Sequence, residues 1–193
     1  YIIVGAGSAG CVIANRLSED PSTQVLLIEA GGSDRRFFIQ MPIGYGVTYH
    51  QKAVNWMYMT EPSPDADNKP SYWPRGKVMG GSSSINAMVY VRGNSRDFDQ
   101  WSEAGNPGWS YSDVLPYFKK MESWQNGPDD YRGGDGPLNV SEVSRQLHPL
   151  CQNFLSAAQE IGIGLNKDMN GATQEGVGNY QITTHKGQRM SSS

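Results

Sequence analysis

Six residues near the start of the chain, Gly5-Ala6-Gly7-Ser8-Ala9-Gly10, lie between an apolar run, Tyr1-Ile2-Ile3-Val4, and a stretch with helical spacing, Cys11 to Leu17. No other feature restricts the fold as much. In G-x-G-x-x-G the first glycine allows a sharp turn out of a strand. The second lets a ligand approach the backbone, and the third lets helix and strand pack closely. After a break at Asp20-Pro21-Ser22, a second apolar run, Val25-Leu26-Leu27-Ile28, ends at Glu29. Both runs predict strands buried on both faces and joined through one helix as a right-handed parallel pair. The free N–H groups and dipole of that helix suit phosphate charge, and Glu29 is placed to accept from ribose hydroxyls. The fold class is therefore α/β, with a Rossmann-like dinucleotide-binding start. This motif alone does not separate NAD from FAD.

The rest of the chain narrows the function by exclusion. Glycine makes up 23 of 193 residues, about 12% against a usual share of about 7%, and there is no repeat to account for it. The net charge of −3, with no basic cluster, argues against nucleic acid as a partner. Mean hydropathy is −0.55, and the apolar runs are too short to span a bilayer. Two cysteines supply neither a disulfide framework nor a metal quartet, so no metal is expected and a reducing compartment is the default. Cys11 reads as a small thiol packed between the first helix and the sheet. Residues 33–74 lose the strand–helix rhythm, and Pro62, Pro64 and Pro70 frame a polar loop. Further on, Ala87–Val91 predicts a strand and Ser95 a cap for a helix carrying Phe98 and Trp101. Ser110 with Asp113 forms a capping box, and Gly127–Gly136 is rich in turns. Pro149 is the expected first residue of a helix with Leu150, Phe154, Leu155, Ala158 and Ile161 as its apolar stripe.

A second small-residue segment decides the cofactor. Arg75-Gly76-Lys77-Val78-Met79-Gly80-Gly81-Ser82-Ser83-Ser84-Ile85-Asn86-Ala87-Met88-Val89-Tyr90-Val91-Arg92-Gly93 resembles the first signature of the glucose–methanol–choline (GMC) family of flavin oxidoreductases. The likeness extends through Gly31, Asn55-Trp56, Thr60-Glu61-Pro62, Tyr72-Trp73-Pro74, Arg96–Trp101, Leu115-Pro116-Tyr117-Phe118 and Gly134–Leu138. It continues through Asp168–Gly171, Gly176-Val177-Gly178 and Gly187-Gln188-Arg189. Within the family the chain is most similar to the bacterial choline and aliphatic primary-alcohol dehydrogenases. The resemblance implies FAD held at Gly5, Gly7, Ser8, Ala9 and Gly10, with Glu29 and Ala30 at the adenosine ribose and Trp56 toward the adenine. It places Arg75, Gly80, Gly81, Ser82, Asn86, Ala87, Met88 and Val89 along the pyrophosphate and flavin. Some members attach flavin covalently through a histidine where this chain has Ile85, so non-covalent FAD is implied. Residues 1–145 would form mainly the FAD-binding domain, with an irregular 33–74 insertion covering the cofactor. Residues 146–193 would begin a smaller, truncated α+β substrate-binding domain, so the chain reads as the N-terminal portion of a longer protein.

The implied reaction is oxidation of a primary alcohol to an aldehyde by hydride transfer to flavin N5, on a choline-like or aliphatic substrate. Oxygen, a quinone or a dye-like molecule would accept the electrons. Removing an alcohol proton with an ordinary imidazole spans a gap of roughly 9 pK units, or about 12 kcal/mol, so proton and hydride loss must be coupled or supported by preorganised donors. His50, His148 and His185 do not match the family's catalytic histidine positions, which lie near the C-terminus of a longer chain, so no catalytic residue is assigned. The rest of the polypeptide, or a complementary chain, would supply it. The same scaffold hosts lyases and a fatty-acid photodecarboxylase, and a non-catalytic FAD-binding fragment is a further alternative. The expected location is cytoplasmic or peripheral to the inner membrane.

Overall fold

The paired strands β1 (Ile2–Val4) and β2 (Leu26–Ile28) flank helix α1 (Ser8–Leu17). They run parallel, with Ile2 opposite Leu26 and Val4 opposite Ile28, and the Gly5 N–H donates to the Ile28 carbonyl at 2.7 Å. The computed structural model describes residues 1–193, except for the side chain of Arg145. It divides into two units, Tyr1–Met88 with Lys186–Ser193, and Val89–His185. The residue 145/146 boundary lies inside the second unit.

Burial of β1 and β2 differs from the sequence expectation. Ile3 faces α1, but Val4 is 83% and Ile2 70% exposed, and Leu26 and Ile28 are also exposed. Successive strand residues point to opposite faces. The helix covers only one of them, and no described residue covers the other. Cys11 is half-buried on α1, its thiol donating to the Ala6 carbonyl at 3.2 Å.

Residues 33–74 fold into single turns and a hairpin. Helices α2 (Phe37–Gln40) and α3 (Tyr45–Thr48) precede strands β3 (Tyr58–Met59) and β4 (Tyr72–Trp73), which pair antiparallel. The unit's apolar core is Ile39, Val54, Val78 and Ile85, each at most 3% exposed. Burial of such side chains contributes about 1.5–3 kcal/mol each. Asn55 ties the hairpin to this core. Its amide donates to the Tyr49 carbonyl and the Tyr72 hydroxyl, and its oxygen accepts from the Met57 and Arg75 N–H groups.

The second unit contains β5 (Val89–Tyr90), α4 (Ser95–Glu103), α5 (Tyr111–Met121), β6 (Glu122–Trp124), β7 (Leu138–Val140), α6 (Leu150–Glu160), β8 (Gln181–Ile182) and β9 (Thr184–His185). Strand β5 pairs antiparallel with β8, and β6 pairs parallel with β7. The expected box of Ser110 and Asp113 caps α5. The cap of α4, however, is Asn94, which accepts from the Arg96 N–H while Asp97 accepts from the Asn94 N–H. Ser95 is already helical. Pro149 likewise stands one residue earlier than expected, as the cap of α6, and His148 Nδ1 accepts from the Leu150 N–H. Of the stripe on α6 only Leu155 and Ala158 are buried, because Leu150, Phe154 and Ile161 meet no cover among the described residues.

A charge network holds this unit together. The Glu122 carboxylate, fully buried, accepts from Arg92 Nη2 at 2.8 Å, from Arg132 Nη2 at 2.6 Å and from the Gly133 N–H at 2.8 Å. Arg132 also donates to both Asp168 oxygens at 2.8 Å and lies over the Trp124 ring. Two guanidinium groups thus face two carboxylates, which offsets the cost of burying them. Burial pushes the Asp168 carboxyl up, but the Gln181 amide, the Arg132 guanidinium and the Asn170 N–H together hold it below its ordinary value.

Candidate functional site

The two small-residue segments, some seventy positions apart, meet backbone to backbone. The Gly80 N–H donates to the Ala6 carbonyl at 2.7 Å. A methyl group added at Gly81 would lie 2.7 Å from the Gly7 Cα, and Gly81 itself has φ +56°, a conformation L side chains rarely adopt. Only glycine allows this approach. At Gly7 the situation is reversed: φ is −81°, and a methyl group there would meet no atom of the described residues within 4 Å. Open space therefore lies beside Gly7, at the N-terminus of α1. That helix start has no side-chain cap and no acidic residue in its first turn. Its unpaired N–H groups and dipole favour an anion.

Glu29, at the end of β2, fixes the turn from below. One carboxylate oxygen accepts from the Ala6 N–H and the other from the Gly31 N–H, both at 2.8 Å. Each oxygen keeps a further acceptor position, free to accept from a hydroxyl donor. A side chain at Gly10 would strike the Gly5 carbonyl, which is the close helix–strand packing expected from the third glycine of the motif.

The other residues singled out in the sequence fall into three groups. Ser8 and Ala9 are exposed in the first turn of α1, and Ala30 is exposed beside Glu29. Trp56 and Arg75 are neighbours through the Trp56 N–H to Arg75 carbonyl bond at 2.9 Å. The Trp56 ring stacks on Tyr58 with Lys77 Nζ 4.5 Å from its centroid, and Arg75 lies over Trp73. In the second glycine segment, Ser82 accepts from the Gly76 N–H, Asn86 and Ala87 are exposed, and Met88 is buried. Val89 belongs to the second unit, where it is half exposed on β5. Ile85, where the resemblance puts the flavin-linking histidine of some family members, is a core residue.

Three contributors were not singled out as site residues in the sequence. The pair Gly31-Gly32 joins the two segments: a side chain at Gly31 would strike the Lys77 carbonyl, and Gly32 bridges Val78 in parallel. Ala6, fully buried, both donates to Glu29 and accepts from Gly80. Arg189 is 4% exposed and donates to the Ile39 and Ser83 carbonyls and to Asn86 Oδ1. A glycine pair one residue beyond the strand-end acid is a usable signal. Arg189, more than a hundred residues from its partners, gives none.

The family model described as GMC oxidoreductase matches residues 1–193. The chain is 50% identical to an oxygen-dependent choline dehydrogenase from Photobacterium profundum, covering 100% of this chain and 34% of that protein. It is 49% identical to the alcohol dehydrogenase [acceptor] of Pseudomonas putida, covering 100% of this chain and 35% of that one. The crystal structure of pyridoxine 4-oxidase from Mesorbium loti superposes with a TM-score of 0.93 at 34% identity, covering 99% of this chain and 38% of that one. The chain thus spans about a third of the length of the curated relatives it matches. With the family model spanning every residue and the glycine segments packed as described, the chain belongs to the GMC oxidoreductase family.

Proposed function

We propose that this chain is the FAD-holding part of an oxidoreductase that converts a primary alcohol, choline-like or aliphatic, to its aldehyde. The observation that carries the reading is the contact of Gly81 with Gly7, which joins the uncapped N-terminus of α1 to the second glycine segment. Gly7, Ser8, Ala9 and Gly10 would present backbone N–H groups and the helix dipole to the pyrophosphate, and Gly5, its own N–H bonded to Ile28, would make the turn that leads into them. Glu29 and Ala30 would border the ribose, and Trp56 would offer a ring face toward the adenine. Arg75, Gly80, Gly81, Ser82, Asn86, Ala87, Met88 and Val89 would line the remainder of the cofactor. When bound, FAD supplies the hydride acceptor. The residues of this chain hold it and fix its orientation, and the proton acceptor and most of the substrate wall come from elsewhere in the protein. The choline and alcohol dehydrogenases among its relatives support a CH–OH donor.

The test uses the complete protein that carries this chain. Under anaerobic conditions a primary alcohol should bleach the bound flavin, and no bleaching with any alcohol would overturn the proposed reaction. Acid precipitation should leave the yellow cofactor in the supernatant, because Ile85 offers no nucleophilic nitrogen. Flavin retained in the pellet would contradict non-covalent binding. Among the described residues no helix is long and apolar enough to cross a membrane; a cytoplasmic or peripheral location is part of this proposal.

A further inference from the structure

Arg189 is buried in a place where charge is expensive. Its three bonded acceptors are uncharged: the Ile39 carbonyl, the Ser83 carbonyl and the Asn86 amide oxygen, at 3.0, 3.0 and 2.8 Å. It takes part in no ion pair among the described residues, and its Nη2 has no hydrogen-bond partner there. Burial alone pulls its pKa down to about 10. A side chain retained at that cost invites a role beyond packing.

The acceptor Asn86 Oδ1 points to the role. The same oxygen accepts from the Met88 N–H at 3.0 Å. Met88 has φ +62°, a left-handed conformation for a residue that is not glycine. Strain of this kind persists only where the surroundings impose it, and it gathers at ligand clamps and active sites. Nearby, Ser192 binds the same segment, its N–H donating to Ser83 Oγ at 3.0 Å. The strand residue Arg189 and the serines after it thus clasp the second glycine segment from a point about a hundred residues further along the chain.

We infer that Arg189 is a positioning residue for the cofactor bed: by holding Asn86 Oδ1 it locks the Asn86–Met88 backbone in the strained shape that faces the flavin. The inference rests on the proposed FAD-holding role. Arginine is suited to it because one planar fork reaches three acceptors at once, which a lysine ammonium on a flexible stem does not reproduce.

The experiment titrates FAD into the apo form of the complete protein, comparing wild type with Arg189→Lys, Arg189→Met, Asn86→Ala and the Arg189→Lys/Asn86→Ala double variant. Either Arg189 change should raise the FAD dissociation constant about tenfold or more and alter the visible circular dichroism of the bound flavin. The apo melting temperature of Arg189→Lys should move by less than about 2 °C. In the Asn86→Ala background the Arg189→Lys change should add little, since both act through one contact. Unchanged FAD affinity in the Arg189 variants would overturn the inference, as would fully additive losses or a loss matched by apo instability. If the Arg189 variants fail to fold, Asn86 decides. Asn86→Asp, which keeps the acceptor, should lose less FAD affinity than Asn86→Ala, and equal affinity in the two overturns the inference. A wild-type protein that takes up no FAD overturns both readings. One that binds FAD while the variants are unaffected overturns only this one.

Discussion

Alanine placed at Gly7 and at Gly81 should have opposite consequences, although the two glycines touch. At Gly81 the methyl group would lie 2.7 Å from the Gly7 Cα and the backbone would stay at φ +56°. The left-handed conformation costs a non-glycine residue about 1–2 kcal/mol, and displacing packed backbone costs about 1–3 kcal/mol more. Gly81→Ala should therefore lose about 2–5 kcal/mol of stability. At Gly7 the methyl group meets nothing within 4 Å and φ is −81°. The weaker capping by alanine costs a few tenths to about 1 kcal/mol, and the stiffer unfolded chain returns about 0.4–1. The net change should fall within about 0.5 kcal/mol of zero. The space it fills, however, is the approach to the N-terminus of α1, so FAD affinity should drop at least about tenfold. Urea unfolding of the apo protein measures the first quantity, and quenching of flavin fluorescence on titration measures the second. A Gly7→Ala protein that binds FAD normally would refute the assignment of that space. One as destabilised as Gly81→Ala would refute the packing argument.

Three further outcomes follow from the same geometry. Glu29→Gln keeps one acceptor but turns an amide N–H toward the Ala6 or Gly31 N–H, so it should cost about 1–3 kcal/mol in urea unfolding and weaken FAD binding. Glu122→Gln leaves two buried guanidinium groups facing a neutral partner and should lower stability by about 3–5 kcal/mol, read from thermal or urea unfolding. Asp168 has a folded-state pKa below the ordinary 3.8, so the unfolded chain binds its proton more readily. Its stabilisation is present above that value and disappears as pH falls through the folded one. An acid titration of Asp168→Asn, followed by tryptophan fluorescence, should show less loss of stability below pH 3.8 than wild type; an identical profile would show that Asp168 does not contribute.

The sequence reveals local chemistry well and distant contacts poorly. Strand, glycine turn, helix and closing acid are all legible from residues 1–29, because each signal lies within a few positions of the element it specifies. The capping box at Ser110 is equally local. The α4 cap is misread by one residue because Asn94 and Ser95 are both good capping types, and only the backbone chooses between them. Burial of β1 is misread for another reason. An aliphatic run shows that a strand can be covered on both faces, whereas cover depends on what packs there, and here α1 reaches only the face of Ile3. Arg189 illustrates the far limit. Its bond to the Ile39 carbonyl joins residues 150 positions apart, and no periodicity or spacing rule spans that separation.

Electrostatics explains why the site depends on these particular atoms. With a net charge of −3 the chain has no long-range attraction for a negatively charged dinucleotide. Attraction must therefore be local and preorganised. The start of α1 contributes partial positive charge with no acidic residue in its first turn to cancel it. The one carboxylate at the turn, Glu29, is engaged by two backbone N–H groups, which disperses part of its charge. The guanidinium of Arg189 holds the second segment with no counter-ion among the described residues. Partial charges fixed in a rigid frame require no reorganisation when an anion arrives, but they act only over a few ångströms. Such a site works only if the backbone itself comes that close, and side chains at Gly7 and Gly81 would prevent it. On the proposed FAD-holding role, the glycine contacts and the local charges would serve one requirement: short-range partial charges through which a mildly acidic chain would hold an anionic cofactor.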